Sequence, residues 1–166
     1  MATILEVIVA IILSTGAFPA GGSIPARYTC DGADVSPALA WAGTPAGTAS
    51  YALIADDPDA PAGTWVHWVV FNLPGTLAAL PEDVPKTDEL RGFGGALQGR
   101  NDFKRVGYGG PCPPPGRPHR YYFKLYALDM VLTLKAGATK QDVERAMRGH
   151  ILSEASLMGT YARARR

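Results

Sequence analysis

The sequence predicts a mainly β domain, either a sandwich or a covered sheet, with its one clear helix near the C-terminus. Three observations carry this. Apolar runs of strand length recur at Ser50–Ala55, Trp65–Leu73 and His119–Asp129. Turn-forming stretches separate them, because 19 glycines and 14 prolines supply about a fifth of the chain, against roughly 12% in ordinary domains. A helical period surfaces only after Thr139. The 166 residues suit a single domain, 1–166, large enough to bury a core without metal or disulfide staples. Hydrophobic residues at 47% and charged residues at 19% exclude a disordered chain.

The first element is Ile4–Leu13, I-L-E-V-I-V-A-I-I-L. It is about half the length of a membrane span and holds Glu6, so no transmembrane segment is expected. No Lys or Arg precedes it, so the basic start of a signal peptide is missing and a cytoplasmic location is expected. Its β-branched content predicts a strand buried on both faces, with an atypical export signal as the alternative. At a sheet edge this strand would offer a pairing surface for a second copy, hence a homodimer.

Phe18–Ser36 is a loop region. Ser50–Ala55 is a short strand closed by the turn D-D-P-D-A-P. Trp65–Leu73 alternates Trp65, His67, Val69, Phe71 and Leu73 on one face with Val66, Trp68, Val70 and Asn72 on the other. Both faces are mainly apolar, so this strand is interior. Residues 74–118 are too long for a plain loop, so they either hold short strands or build a site. In His119–Asp129, the residues His119, Tyr121, Phe123 and Leu125 share the apolar face. Residues 130–134 continue that strand or fold back on it. Thr139 with Asp142 is a capping-box start for a helix whose stripe runs through Val143, Met147, Ile151 and Met158. Gly149 is a candidate break and Gly159 a candidate C-cap.

The net charge of +1 conceals an asymmetry. Residues 1–80 sum to −5 and residues 81–166 to +6, but the basic half alternates in sign and holds no cationic block. A nucleic-acid partner is therefore rejected. Cys30 and Cys112 are two thiols or one bridge, and spacing alone does not choose between them.

Chemistry concentrates in three places. Asp56, Asp57 and Asp59 crowd one turn and must be neutralised by something basic or hydrogen-bonding. His67 sits on an apolar strand and needs partners for both ring nitrogens, with the Asp57/Asp59 turn nearest in sequence. The loop G-Y-G-G-P-C-P-P-P-G-R-P runs into His119, a stiff wall where backbone can approach a ligand closely. Three readings compete for these pieces. They are a His/Asp metal site, a hydrolase using Cys112 with His119, and a pocket in which imidazolium and Tyr121 hydroxyl donate to an anion.

The motifs D-P-D-A-P (57–61), W-V-H-W (65–68) and G-Y-G-G-P-C-P-P-P-G-R-P-H-R-Y (107–121) resemble the two signature regions of the phosphatidylethanolamine-binding protein family. That family includes the Raf kinase inhibitor proteins and the plant flowering-time regulators. R-Y-T-C-D-G (27–32), S-P-A-L-A-W (36–41) and G-R-N-D-F (99–103) look like its bacterial and archaeal branch. The resemblance implies an antiparallel β-sandwich with a dominant central sheet and peripheral helices. It implies a non-catalytic binding or regulatory module without cofactor or metal, whose small pocket takes phosphate-like anions such as phospholipid head groups. By motif, Asp57, Asp59, Pro61 and Trp65 would form one wall. His67 would sit at the base, with Gly109, Gly110 and Pro111 along the side and His119 and Tyr121 completing the anion contacts. Ala60–Pro61 would be a cis bond. The protein partners implied are a kinase or a serine protease. Animal members continue into a further C-terminal helix beside the pocket, so the pocket here is expected to be more open.

Overall fold

The computed structural model describes residues 10–165. Three layers stack, a small sheet, a large sheet and a helix. The small sheet holds β1 (Ile12–Ser14), β2 (Leu39–Ala42) and β5 (Ala79–Leu80) in the order β1-β2-β5. The large sheet holds β3 (Ser50–Asp57), β4 (Trp65–Pro74), β6 (Leu97–Gln98), β7 (His119–Leu128) and β8 (Ile151–Tyr161), ordered β6-β4-β3-β7-β8. Every pairing between these strands is antiparallel. The helix α1 spans Lys140–Met147.

Alternation sorts the core into two compartments. Tyr51, Leu53 and Ala55 of β3 join Phe123 and Leu125 of β7 against Leu13, Leu39 and Trp41 of the small sheet. Ala52 and Ile54 face the opposite way and pack with Val69, Phe71, Val143 and Met147 under α1. Every residue of β3 is buried, as a strand covered on both faces requires.

The face assignment along β4 is corrected by two irregularities. Ala55 pairs with Trp68 and Asp56 with Val66, so His67 is an extra residue bulged out of the ladder. A second shift falls at Asn72, whose φ is +59°. Strict alternation therefore fails, and Trp68 with Val70 faces one compartment while Val66 with Val69 faces the other.

The C-terminal expectation is also corrected. Thr139 and Asp142 form the capping box in both directions, but the helix ends at Met147. Gly149, at φ +78°, turns the chain, and residues 151–161 pair along the whole of β7. Ile151, Met158 and Gly159 are thus strand residues, and the final described element is a strand. Their spacing mimicked a helical stripe, but pairing with β7 satisfies the backbone groups along the β7 edge that would otherwise lie open. Residues 130–134 form no strand, and Leu132 instead packs under α1.

Most of the N-terminal apolar run lies outside the described residues. Its end forms β1, which is buried on one face only, with Leu13 at 6% exposure and Ile12 at 69%. The expectation of burial on both faces does not hold there, because the small sheet covers the core from one side.

Candidate functional site

Four side chains meet at one end of the large sheet. β3 ends there in Asp57, while β4 and β7 begin there with His67 and with His119 and Tyr121. Antiparallel pairing brings these ends together on the side facing the small sheet. They line a cavity of about 190 Å³ with Ala60, Pro61, Trp65, Phe103, Cys112, Pro113 and Pro114.

The two imidazoles are held differently. His119 Nδ1 lies 2.7 Å from Asp57 Oδ2, and a carboxylate accepts, so Nδ1 donates and Nε2 is left for the cavity. Asp57 is 3% exposed and also accepts the Asp59 backbone N–H at 2.7 Å. His67 Nδ1 donates to the Gly109 carbonyl at 2.6 Å, which again leaves Nε2 for the cavity. Desolvation holds the His67 pKa below its ordinary value, although the Gly109 backbone and the Asp57 charge oppose this. The ring is therefore neutral in the empty protein at neutral pH. The carboxylate partner expected for His67 goes to His119 instead, because the bulge turns His67 toward the loop at Gly109.

Tyr121 stands between the two rings, with its centroid 5.3 Å from His67 and 6.5 Å from His119. Its hydroxyl is buried and finds no hydrogen-bond partner among the described residues, and burial with the charges of Asp57 and Asp59 raises its pKa. A buried hydroxyl without a partner is costly unless something visits it.

The remaining expected site residues are placed as follows. Pro61 and Trp65 line the cavity. Asp59, Gly109, Gly110 and Pro111 do not line it. Asp59 is claimed by Arg120, through the guanidinium at 2.8 and 2.9 Å and the backbone N–H at 2.9 Å, and its pKa is held low. Gly109 packs against the Phe103 ring, where a Cβ would meet Cδ2 at 2.6 Å. The Gly110 N–H donates to Asp34 Oδ1 at 2.7 Å. The two glycines thus let the loop press against its supports, while Cys112, Pro113 and Pro114 form the wall.

Two expectations fail here. Every peptide bond among the described residues is trans, Ala60–Pro61 included. Trans is favoured by about 0.5–1 kcal/mol even before proline. The turn closes without a cis bond, through Asp57 on the Asp59 N–H and the Gly63 N–H on the Ala60 carbonyl. Cys112 is bonded to Cys30 and is no nucleophile in this state. No group of three or more His, Cys, Asp or Glu suited to a metal occurs among the described residues. No helix among them is long and apolar enough to cross a membrane.

Sequence reading missed Ala60, Phe103, Pro113 and Pro114 as lining residues. The fragment G-R-N-D-F carried a signal for Phe103, since Asn101 and Asp102 beside it anchor the loop to Gly107 and to the Val66 N–H.

Residues 14–162 match the family model for phosphatidylethanolamine-binding proteins. The chain is 54% identical over 151 residues to a UPF0098 protein of Methanothermobacter thermautotrophicus, covering 91% of this chain and 98% of that one. A UPF0098 protein of Aquifex aeolicus is 52% identical over 148 residues, covering 88% and 85%. Among solved structures, Escherichia coli YbcL, described as a new member of the mammalian family, superposes with a TM-score of 0.86 at 34% identity over 92% of this chain and 98% of that one.

Proposed function

As the chain belongs to the phosphatidylethanolamine-binding protein family, we propose that it is a binding or regulatory module whose cavity seats a phosphate-like anion. The ligand is a phospholipid head group or a phosphorylated partner. The observation that carries this is the Tyr121 hydroxyl, buried, unpartnered and set between two imidazoles in one small cavity. Tyr121 donates to one anion oxygen, and Nε2 of His119 and of His67, once protonated, donate to others. Hydrogen bonds to a charged group contribute roughly 1.5–3 kcal/mol each. Three, less the cost of immobilising the ligand, give roughly millimolar to micromolar affinity. Where a kinase or serine protease is the partner, contacts beyond the cavity supply the rest. A cytoplasmic placement is compatible with the Cys30–Cys112 bridge only in cells whose interior keeps disulfides, as those of many hyperthermophiles do.

The test is an NMR titration of the His67 and His119 ring signals with phosphate, phosphoethanolamine and a neutral control. Saturable shifts of both rings with the anions alone are expected. Rings that ignore all three ligands refute the reading.

A further inference from the structure

The cavity wall between Pro111 and Pro115 is P-C-P-P-P. Four of its five residues have no N–H, so Cys112 carries the stretch's single backbone donor. The wall can hardly be held by a ladder of hydrogen bonds. Its backbone attachments among the described residues sit at its two ends, the Cys30 N–H on the Pro111 carbonyl at 3.1 Å and a parallel bridge of Pro115 with Arg163 that includes the Gly116 N–H on the Arg163 carbonyl at 3.2 Å. Between them, the covalent anchor is the bond from Cys112 to Cys30, across 82 positions of sequence. The far end of that anchor is firm. Asp31, next to Cys30, accepts from the Tyr161 hydroxyl at 2.6 Å and from Arg163 at 3.1 Å. Both cysteines are exposed, and Cys112 also lines the cavity. An exposed bridge is open to attack by a thiolate, and such bridges are the labile ones.

We propose that Cys30–Cys112 is a thiol–disulfide exchange site that sets the position of the proline wall, so that reduction by a dithiol loosens the wall and weakens anion binding. The part concerning binding rests on the anion reading of the cavity. One thiolate of the dithiol attacks a bridge sulfur and forms a mixed disulfide. The second thiol displaces it. The dithiol becomes a cyclic disulfide, and two electrons with two protons pass to Cys30 and Cys112. The released wall must be ordered again when an anion binds, and because four of its five residues are prolines with locked φ, the cost is that of roughly one re-ordered residue, about tenfold in affinity.

The experiment compares oxidised protein, protein reduced with dithiothreitol without denaturant, and the same sample reoxidised with glutathione disulfide. Two readouts are taken, hydrogen exchange at the Cys112 and Gly116 amides without ligand, and affinity for inorganic phosphate. Expected are faster exchange and an affinity loss of about tenfold on reduction, both reversed by reoxidation. A Cys30→Ser/Cys112→Ser variant should match the reduced protein, and if it fails to fold the chemical reduction still decides. A bridge that reduces without changing either readout overturns the proposal. So does one that resists dithiothreitol until the protein is unfolded. If the oxidised protein ignores phosphate, the anion reading fails, and the exchange rates alone decide the wall's dependence on the bridge.

Discussion

Anion binding at this site should consume a proton, and His67 is where it goes. The His67 Nδ1–H is committed to the Gly109 carbonyl, and desolvation keeps the ring neutral in the empty cavity. Its Nε2 then presents a lone pair, which repels an anion oxygen. Protonation turns it into a donor, so the bound state has the higher His67 pKa. Between the free and bound values the complex holds one more proton than its components. Affinity is therefore greatest below the free value and falls by about tenfold per pH unit above it, until the bound value is passed. Sulfate is the right probe, because its charge is constant over the range. Calorimetry from about pH 5.5 to about pH 8, in buffers of differing ionisation enthalpy, counts the protons directly. Uptake by wild-type protein should exceed that of His67→Gln by about one proton, the share of His67, whatever His119 adds to both. His67→Gln keeps a neutral donor, should lose that share, and should bind about tenfold more weakly near pH 6. Sulfate binding without proton uptake, or uptake unchanged in His67→Gln, would refute this assignment.

Other substitutions separate binding from stability. Tyr121→Phe removes a buried hydroxyl that has no partner among the described residues, so thermal stability should hold or rise, while phosphate affinity falls about tenfold by titration. The contrary pattern would show that the hydroxyl is satisfied within the protein. Gly110→Ala places a Cβ 2.6 Å from Asp34 Oδ1 and against the Tyr28 carbonyl, so urea denaturation should show a loss of about 2–4 kcal/mol. Thr139→Ala removes the helix cap and should cost about 1 kcal/mol in the same assay, leaving phosphate affinity unchanged. His67 also shapes the acid limb of stability. Its folded pKa lies below the unfolded value, so its contribution is complete above about pH 6.5 and is lost as pH falls through the folded value. The wild-type denaturation midpoint should decline on acidification, and less so in His67→Gln.

The readable parts of the sequence were those fixed locally. The apolar runs gave β3, β4 and β7, and Thr139 with Asp142 gave the start of α1, because each depends on neighbours a few residues away. Failures arose where distant partners decided. Past Gly149, helix and strand both fit the spacing of Ile151 and Met158, and only the free edge of β7 chose between them. The Cys30–Cys112 bridge likewise needed the two loops to meet in space.

The site shows the same division in finer detail. Residue types told that Asp57, His67, His119 and Tyr121 could make an anion cavity, but sequence proximity assigned the carboxylate to the wrong ring. Asp57 is ten positions from His67 and bonds instead to His119, 62 positions away. One inserted residue explains the exchange. Had β4 stayed in register with β3, the residue beside Val66 would have kept its place in the alternation. The bulge releases His67 from the ladder and aims Nδ1 at Gly109. This leaves one imidazole fixed by a carboxylate and the other fixed by a neutral carbonyl. A cavity with two carboxylate-backed rings would hold extra negative charge close to where an anion would sit on the proposed reading. Backing His67 with a backbone carbonyl fixes the ring at lower electrostatic cost. On the anion reading, it also makes His67 a group through which binding would respond to pH.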